Sequence, residues 1–383
     1  MTGTRVFDIT KIFIVFLYFS SMVQETVVVG MSGGVDSSVS AFLLKKEGYK
    51  VIGAFLKCFS DTKNNLTGEC AWVEERKMAQ KIAVILGIQF VTLDFESDYK
   101  NKVIEPMFKS YKKGLTPNPD IWCNTFIKFP FLWREAKKLG ADFIATGHYA
   151  CRKKTNKGYE LFAGKDEEKD QSYFLAELTM DDLSHTLFPI GKLTKEKVRE
   201  IAKKNNFPNW KKPGTRGICF VGNIFFQDFL KQRIAEKKGR VVDPNGNKIG
   251  IHMGSMYYTI GQRIGESIGI DIEKPIEFAQ KRWYVAVKKR GNLIIAAPEG
   301  HSLLAKSRVF IRNFYVINSD ERIPESGLRA RIRHLGELHS GRAVCRRGQW
   351  SFVFAKPVQA IAEGQYIVIY KGDKVIGGGE IRI

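Results

Sequence analysis

Cysteine is scarce in this chain, and the few thiols present do not pair by spacing. Six cysteines in 383 residues (Cys58, Cys70, Cys123, Cys151, Cys219 and Cys345) cannot build a disulfide scaffold. No C-x-x-C occurs, which disfavours zinc ribbons, zinc fingers and thioredoxin-type redox motifs. A reducing compartment fits that usage and leaves each thiol to be weighed as a reagent. Acidic residues are also in short supply: 40 Asp and Glu against 61 Lys and Arg give a formal charge of +21. Such a field points to a polyanionic partner, nucleic acid first, and away from an enzyme of small neutral metabolites. The apolar run Ile12–Phe19 is eight residues long, short of the roughly 20 that a membrane-spanning helix needs. No A-x-A-like cleavage site follows it, so no membrane partner is expected. Repeats and low-complexity tracts are missing, and 44% hydrophobic with 26% charged residues excludes wholesale disorder.

The length predicts two or three domains. Residues 1–21 read as a presequence or an over-long start, because Met22 leads directly into a strand. The expected location is cytoplasmic, or mitochondrial or another organelle if 1–21 is a presequence. From residue 22 to 221 short β-branched runs alternate with amphipathic helices: Thr26–Gly30, Val51–Leu56, Phe90–Leu93 and Phe143–Thr146 as strands, the first three each followed by a helical pattern and the last ending in Gly-His. That alternation predicts parallel βαβ units, an α/β sheet whose ligand sits at the carboxyl ends of the strands. The Pro-containing stretch Leu115–Trp122 reads as a loop. Residues 222–281 form a small central domain opened by a hairpin at Asp243–Asn247 (DPNGN). Residues 282–383 alternate in short strands and predict a small β-barrel.

Gly30-Met31-Ser32-Gly33-Gly34-Val35-Asp36-Ser37 joins the first strand to the first helix. Adjacent glycines let backbone N–H groups turn into one concavity, and a helix N-terminus adds partial positive charge, so the turn suits a pyrophosphate. No Gly-Lys-Ser/Thr follows, so this is no Walker A loop. Asp36 is badly placed for phosphate unless it holds Mg²⁺ or the loop itself. Cys123 falls near the start of a helix, where the dipole favours thiolate. Packing beside Trp122 is the alternative. Cys219 lies between glycines in Gly214–Gly222, with Arg216 able to support a thiolate, or else serves as a small hydrophobe between Ile218 and Phe220. Two thiols that meet can carry sulfur as a persulfide and resolve it as a disulfide.

The S-G-G-x-D-S turn resembles the PP-loop of the ATP pyrophosphatases, which implies ATP cleavage to AMP and pyrophosphate. TPNPDxxCNxxIKF around Cys123, GICF around Cys219, ATGHY at 145–149, GKDxxKDQSYFL at 164–175 and YTIGQR at 258–263 together resemble the tRNA-specific 2-thiouridylases. The resemblance implies transfer of sulfur to C2 of the wobble uridine in the tRNA anticodon loop. Gly30–Ser37, Leu56 and Gly147 would hold ATP with Mg²⁺, and no protein metal site is implied. Cys219 would take sulfur from a persulfide donor protein, Cys123 would release it, and a Cys123–Cys219 disulfide would result. Asn118, Pro119 and Asp120 would meet the base, with Asp120 an acid/base candidate. His148, Lys169, Asp170, Gln171, Arg333, His334 and Gln365 would contact tRNA, although buried histidines and solvated charges are the plainer readings of several. Alternate spacing predicts Arg329, Arg331 and Arg333 on one basic strand face. Cys58, Cys70, Cys151 and Cys345 read as packing residues, and the protein as a monomer. Some related thiolases carry an iron–sulfur cluster, for which Asp120, Cys123 and Cys219 are ligand candidates ranked below the persulfide route. A different adenylating ligase with the same loop, or a non-catalytic RNA-binding protein, are the competing functions.

Overall fold

The computed structural model describes residues 24–60, 71–214, 226–272, 281–289, 291–318, 322–324 and 326–383. Cys219, Arg216, Cys70 and the apolar run Ile12–Phe19 lie outside them. The first sheet uses β1 (Thr26–Gly30), β2 (Lys50–Lys57), β3 (Gln89–Asp94), β4 (Phe143–Ala145) and, after the hairpin β5 (Ala150–Thr155) and β6 (Gly158–Ala163), β7 (Thr186–Leu187). Its order is β3-β2-β1-β4-β7 with every pair parallel, as the βαβ alternation predicts. Val27, Val28 and Val29 are all fully buried, because this central strand is covered on both faces. The order reverses direction between β1 and β4. The crevice at that switch is where such sheets bind ligands.

The helix after the proline loop starts earlier than its two prolines suggest. Pro119 occupies the first helical position, where a missing N–H costs nothing, and Asn118 caps it by accepting from Ile121 N–H at 3.2 Å. Helix Pro119–Cys123 runs into a π-turn at Asn124–Lys128 and then into Phe129–Lys138. Pro130 has no N–H for the carbonyl of Phe126, which accounts for the wider turn there.

The central sheet comprises β8 (Gly239–Val242), β9 (Lys248–His252), β10 (Ile270–Ile272), β11 (Trp283–Lys289) and β12 (Leu293–Pro298), in the order β10-β9-β8-β12-β11. The Asp243–Asn247 turn joins β8 and β9 antiparallel, with Asp243 accepting from Asn245 and Asn247 N–H. An expected division between residues 281 and 282 therefore cuts this sheet, since β12 pairs with β8. The strand pairing moves it to between Pro298 and Ala305. Both sides of that stretch are short β-strands, so composition does not change where the sheets do.

The last six strands are β13 (Ala305–Val316), β14 (Leu328–Arg331), β15 (His339–Arg346), β16 (Gln349–Gln359), β17 (Tyr366–Lys371) and β18 (Lys374–Arg382). They run β13-β16-β15-β14-β17-β18, and β13 pairs again with β18 to close a barrel. Its core holds Val309, Leu328, Ala330, Phe352, Ile367 and Ile369. The β5–β6 hairpin of the first domain docks on β18, with Lys374 bonded to Glu160 at 2.7 Å. The barrel is thus tied to the nucleotide-type sheet. Among the described residues no helix is long and apolar enough to cross a membrane.

Candidate functional site

The turn after β1 is pre-shaped by its own side chains. Ser32 N–H donates to Ser37 Oγ at 3.2 Å, and the Ser37 and Ser38 hydroxyls donate to the Gly34 carbonyl at 3.2 and 2.9 Å. Asn209 pins the turn from outside, donating to the Gly33 carbonyl at 3.1 Å and to Ser38 Oγ at 3.0 Å. Met31 and Val35 are buried, so what they offer a ligand is backbone, while Ser32 is exposed. Leu56 is buried at the end of β2. Two glycines are required by space. Gly33 has φ +73° with its missing Cβ aimed at the Glu75 carbonyl, and a Cβ on Gly147 would meet Ser37 N at 2.7 Å. Gly33→Ala should raise the KM for ATP at least about tenfold, because the left-handed φ costs about 1 kcal/mol before the clash is counted. An ATP titration of the variant with an unchanged constant would overturn this.

Asp36 is committed to holding the loop. Lys195 Nζ lies 2.7 and 2.8 Å from its two carboxylate oxygens, and the Tyr149 hydroxyl donates to Oδ1 at 2.8 Å. Lys195 is itself fixed as the first residue of helix Lys195–Lys204, whose Thr194 cap bonds Lys197 N–H. The Asp36 carboxylate, so paired, does not fit a ligand for Mg²⁺. Among the described residues no three His, Cys, Asp or Glu side chains gather as a metal site.

Contacts run from this loop to the helical run that carries Cys123. Gly147 packs on Ser37. Next to it His148 stacks on Phe129 with ring centroids 5.8 Å apart, and Leu132 of the same helix reaches the Gly30 position. Cys123 lies six residues before Phe129 in the same helical run, with the π-turn Asn124–Lys128 between them. It is fully buried, at the fifth position of its helical stretch. His148 is 8% exposed, accepts or donates at Nδ1 with Thr146 Oγ1 at 2.8 Å, and is held neutral, its pKa pushed well down by burial and then by Lys128. It supports the crevice wall.

The loop before Cys123 is clamped by the other two domains. Thr116 N–H donates to the Glu363 carbonyl at 2.9 Å, and Thr116 Oγ1 bonds Thr259 Oγ1 at 3.4 Å. Gln365 reaches the Pro117 carbonyl at 3.5 Å. Asn118 and Pro119 are buried and Asp120 half-exposed at the mouth of that clamp.

The remaining expected contacts divide by exposure. Lys169 and Arg333 are exposed. Asp170 is 1% exposed and accepts from Gly164 and Ser172 N–H, both at 3.0 Å, and from Arg331. Gln171 accepts from Tyr149 N–H at 3.1 Å. His334 stacks on Phe174 at 4.2 Å, and burial lowers its pKa to about 4. The expected basic face Arg329–Arg331–Arg333 does not form as one row. β14 ends at Arg331, whose guanidinium turns inward to Asp170, and Arg333 lies beyond the strand. A buried carboxylate on the neighbouring loop outcompetes solvent for that arginine. Among the cysteines, Cys58 is buried, while Cys345 is exposed on β15 and is no packing residue. Lys195 and Asn209 have no motif of their own in the sequence, and Tyr149 only closes ATGHY; their contacts with the loop mark them.

Domain models match the chain in three stretches: residues 25–223 as a tRNA methyl transferase HUP domain, 227–296 as a tRNA methyl transferase PRC-barrel domain, and 307–381 as an aminomethyltransferase beta-barrel domain. The tRNA-specific 2-thiouridylase MnmA 1 of Geobacillus kaustophilus is 41% identical, over 94% of this chain and 96% of that protein. The tRNA-specific 2-thiouridylase of Christiangramia forsetii is 37% identical over 94% and 100%, and that of Dichelobacter nodosus 39% identical over 96% and 96%.

Proposed function

We infer from the fact that this chain belongs to the tRNA-specific 2-thiouridylase family that it is a tRNA-modifying sulfurtransferase, making 2-thiouridine at the wobble position with ATP. The observation that carries this is the identity of about 40% along 94–96% of the chain, joined to a phosphate-type turn and a helix-borne cysteine in one domain. The domain models carry methyl-transfer descriptions. Methyl transfer needs no activated oxygen, and thiolation of a carbonyl does, which gives the cradle its use.

In this reading Gly30–Ser37, Leu56 and Gly147 bind ATP, with Mg²⁺ travelling on the nucleotide and no protein carboxylate assigned to it. Uracil O2 attacks the α-phosphorus, and pyrophosphate leaves. The terminal sulfur of a Cys219 persulfide, supplied by a donor protein, then adds at C2, and AMP departs with the oxygen. Cys123 thiolate attacks the Cys219 Sγ, breaking the S–S bond. The uridine keeps the outer sulfur, and a Cys123–Cys219 disulfide remains for a thiol reductant to reset. Asp120, at the half-exposed mouth, is the proton acceptor or donor at the pyrimidine edge, with Asn118 and Pro119 shaping the pocket around an unstacked base. Exposed Lys169 and Arg333 meet phosphate. Asp170, Gln171, His148, His334 and Gln365 hold the surfaces that do. The chain acts as a monomer in the cytoplasm.

Incubating the protein with ATP and unmodified tRNA transcript should release pyrophosphate that depends on tRNA and not on small carboxylic acids. Nucleoside mass spectrometry should find 2-thiouridine once a persulfide donor is added. Pyrophosphate release driven equally well by a small acid without tRNA would favour a ligase instead and sink the thiolase reading.

A further inference from the structure

A ring of polar side chains surrounds the turn that carries Cys123, and the cysteine motifs do not include it. Trp122, the preceding residue, donates its indole N–H to the Tyr366 hydroxyl at 3.2 Å. Tyr366 opens β17 of the barrel and is 5% exposed. Its hydroxyl also faces the Glu177 carboxylate, each acting on the other's titration. That carboxylate returns to the helix, accepting from Thr125 Oγ1 at 3.1 Å. Asn124 adds two bonds, donating to the Asp120 carbonyl at 3.1 Å and the Phe174 carbonyl at 3.3 Å. The residues at 122, 124 and 125, next to the thiol in sequence, are therefore each tied to partners outside the helix, one in the barrel and two in the 174–177 segment.

We propose that Glu177 and Tyr366 are positioning residues for sulfur transfer: through Trp122 and Thr125 they hold the Cys123 turn at a fixed depth and rotation against the barrel. The inference rests on the reading of Cys123 as the sulfur-releasing thiol. The local backbone needs such a hold. Cys123 sits where an α-helix passes into a π-turn, a junction whose carbonyls and N–H groups are not all matched at i+4. A misplacement of about 1 Å at a reacting atom can cost 10²-fold in rate. The ring's composition also argues for more than packing. Burial raises the Glu177 pKa, and Glu380, itself 3.8 Å from Arg312, raises it further. A buried network of this kind holds one geometry through its paired members and loosens when one is lost, Asn124 Oδ1 being the atom it leaves unpaired.

The test uses the full chain, ATP, unmodified tRNA transcript and glutathione persulfide as sulfur source. Two rates are read: tRNA-dependent pyrophosphate release without persulfide, and 2-thiouridine formation in a single turnover. Tyr366→Phe, Glu177→Gln and Thr125→Val should each slow thiouridine formation about tenfold or more while pyrophosphate release stays within about twofold. Thr125→Ser, which keeps the hydroxyl, should restore the thiolation rate. Parallel loss of both rates, no loss at all, or a Thr125→Ser variant as slow as Thr125→Val would overturn the proposal. Cys123→Ser runs alongside: full thiolation there would refute the cysteine reading itself, whereas an inactive Cys123→Ser with unaffected ring variants would refute only the ring.

Discussion

Cys123→Ser should lose 2-thiouridine formation by about 10³ or more, while the protein still binds ATP and still releases pyrophosphate on adding tRNA. The split follows from placement. The phosphate loop is held by Ser37, Asn209 and the Asp36–Lys195 pair, which the substitution leaves in place, so adenylation keeps its machinery. Serine is close in volume to cysteine and should be accepted at this fully buried site. Its hydroxyl, however, cannot attack a disulfide sulfur, because the alkoxide it would need is not populated near neutral pH. Cys219→Ser should give the same phenotype for a different reason, having no sulfur to carry the persulfide. The two variants separate on trapping: Cys123→Ser should accumulate tRNA joined to Cys219 through a reducible S–S link, and Cys219→Ser should accumulate none. Thiol-sensitive gel shifts and nucleoside mass spectrometry check both. Retained thiolation in either variant would end the two-thiol mechanism.

Lys195→Met should weaken ATP binding by about 30-fold or more and lower stability by about 2–3 kcal/mol. Lys195 Nζ meets both oxygens of Asp36, with side chains 10% and 29% exposed, so the pair is sheltered without being sealed. Removing one partner leaves the carboxylate facing the Tyr149 hydroxyl alone and facing a site made for phosphate anions. Loss is then twofold in kind: an uncompensated charge in the fold and a repulsive one beside the ligand. The Lys195→Met/Asp36→Asn double variant should recover part of both, since the stranded charge is gone. Calorimetric ATP titration and thermal unfolding read the two effects separately. A single variant with ordinary nucleotide affinity and ordinary melting would show that the latch has no bearing on the loop.

Local pattern carried the first sheet and the phosphate turn almost residue by residue. TVVVG, then glycines and serines, then a helix, is a strand, an anion turn and a dipole in sequence, and all three arise from neighbours along the chain. The hairpin at Asp243–Asn247 was legible for the same reason. Strand ownership was not. Trp283–Lys289 alternates as a barrel strand would, yet it pairs into the central sheet, because alternation states that one face is buried and never against which partner. Pro119 likewise serves a loop or a first helical turn equally well until Asn118 is seen to cap it.

The sequence by itself determined the chemistry at hand: a pyrophosphate cradle, isolated thiols in a chain without C-x-x-C, and a cationic surface for a polyanion. Those depend on residue type and near spacing. Only the tertiary structure decided that Asp36 answers to Lys195, that Asp170 draws Arg331 inward from the expected basic row, and that Tyr366 of the barrel reaches back to the Cys123 turn. Each joins groups more than a hundred residues apart in sequence, and such pairings are set by how sheets and barrels dock, a property that no local window contains.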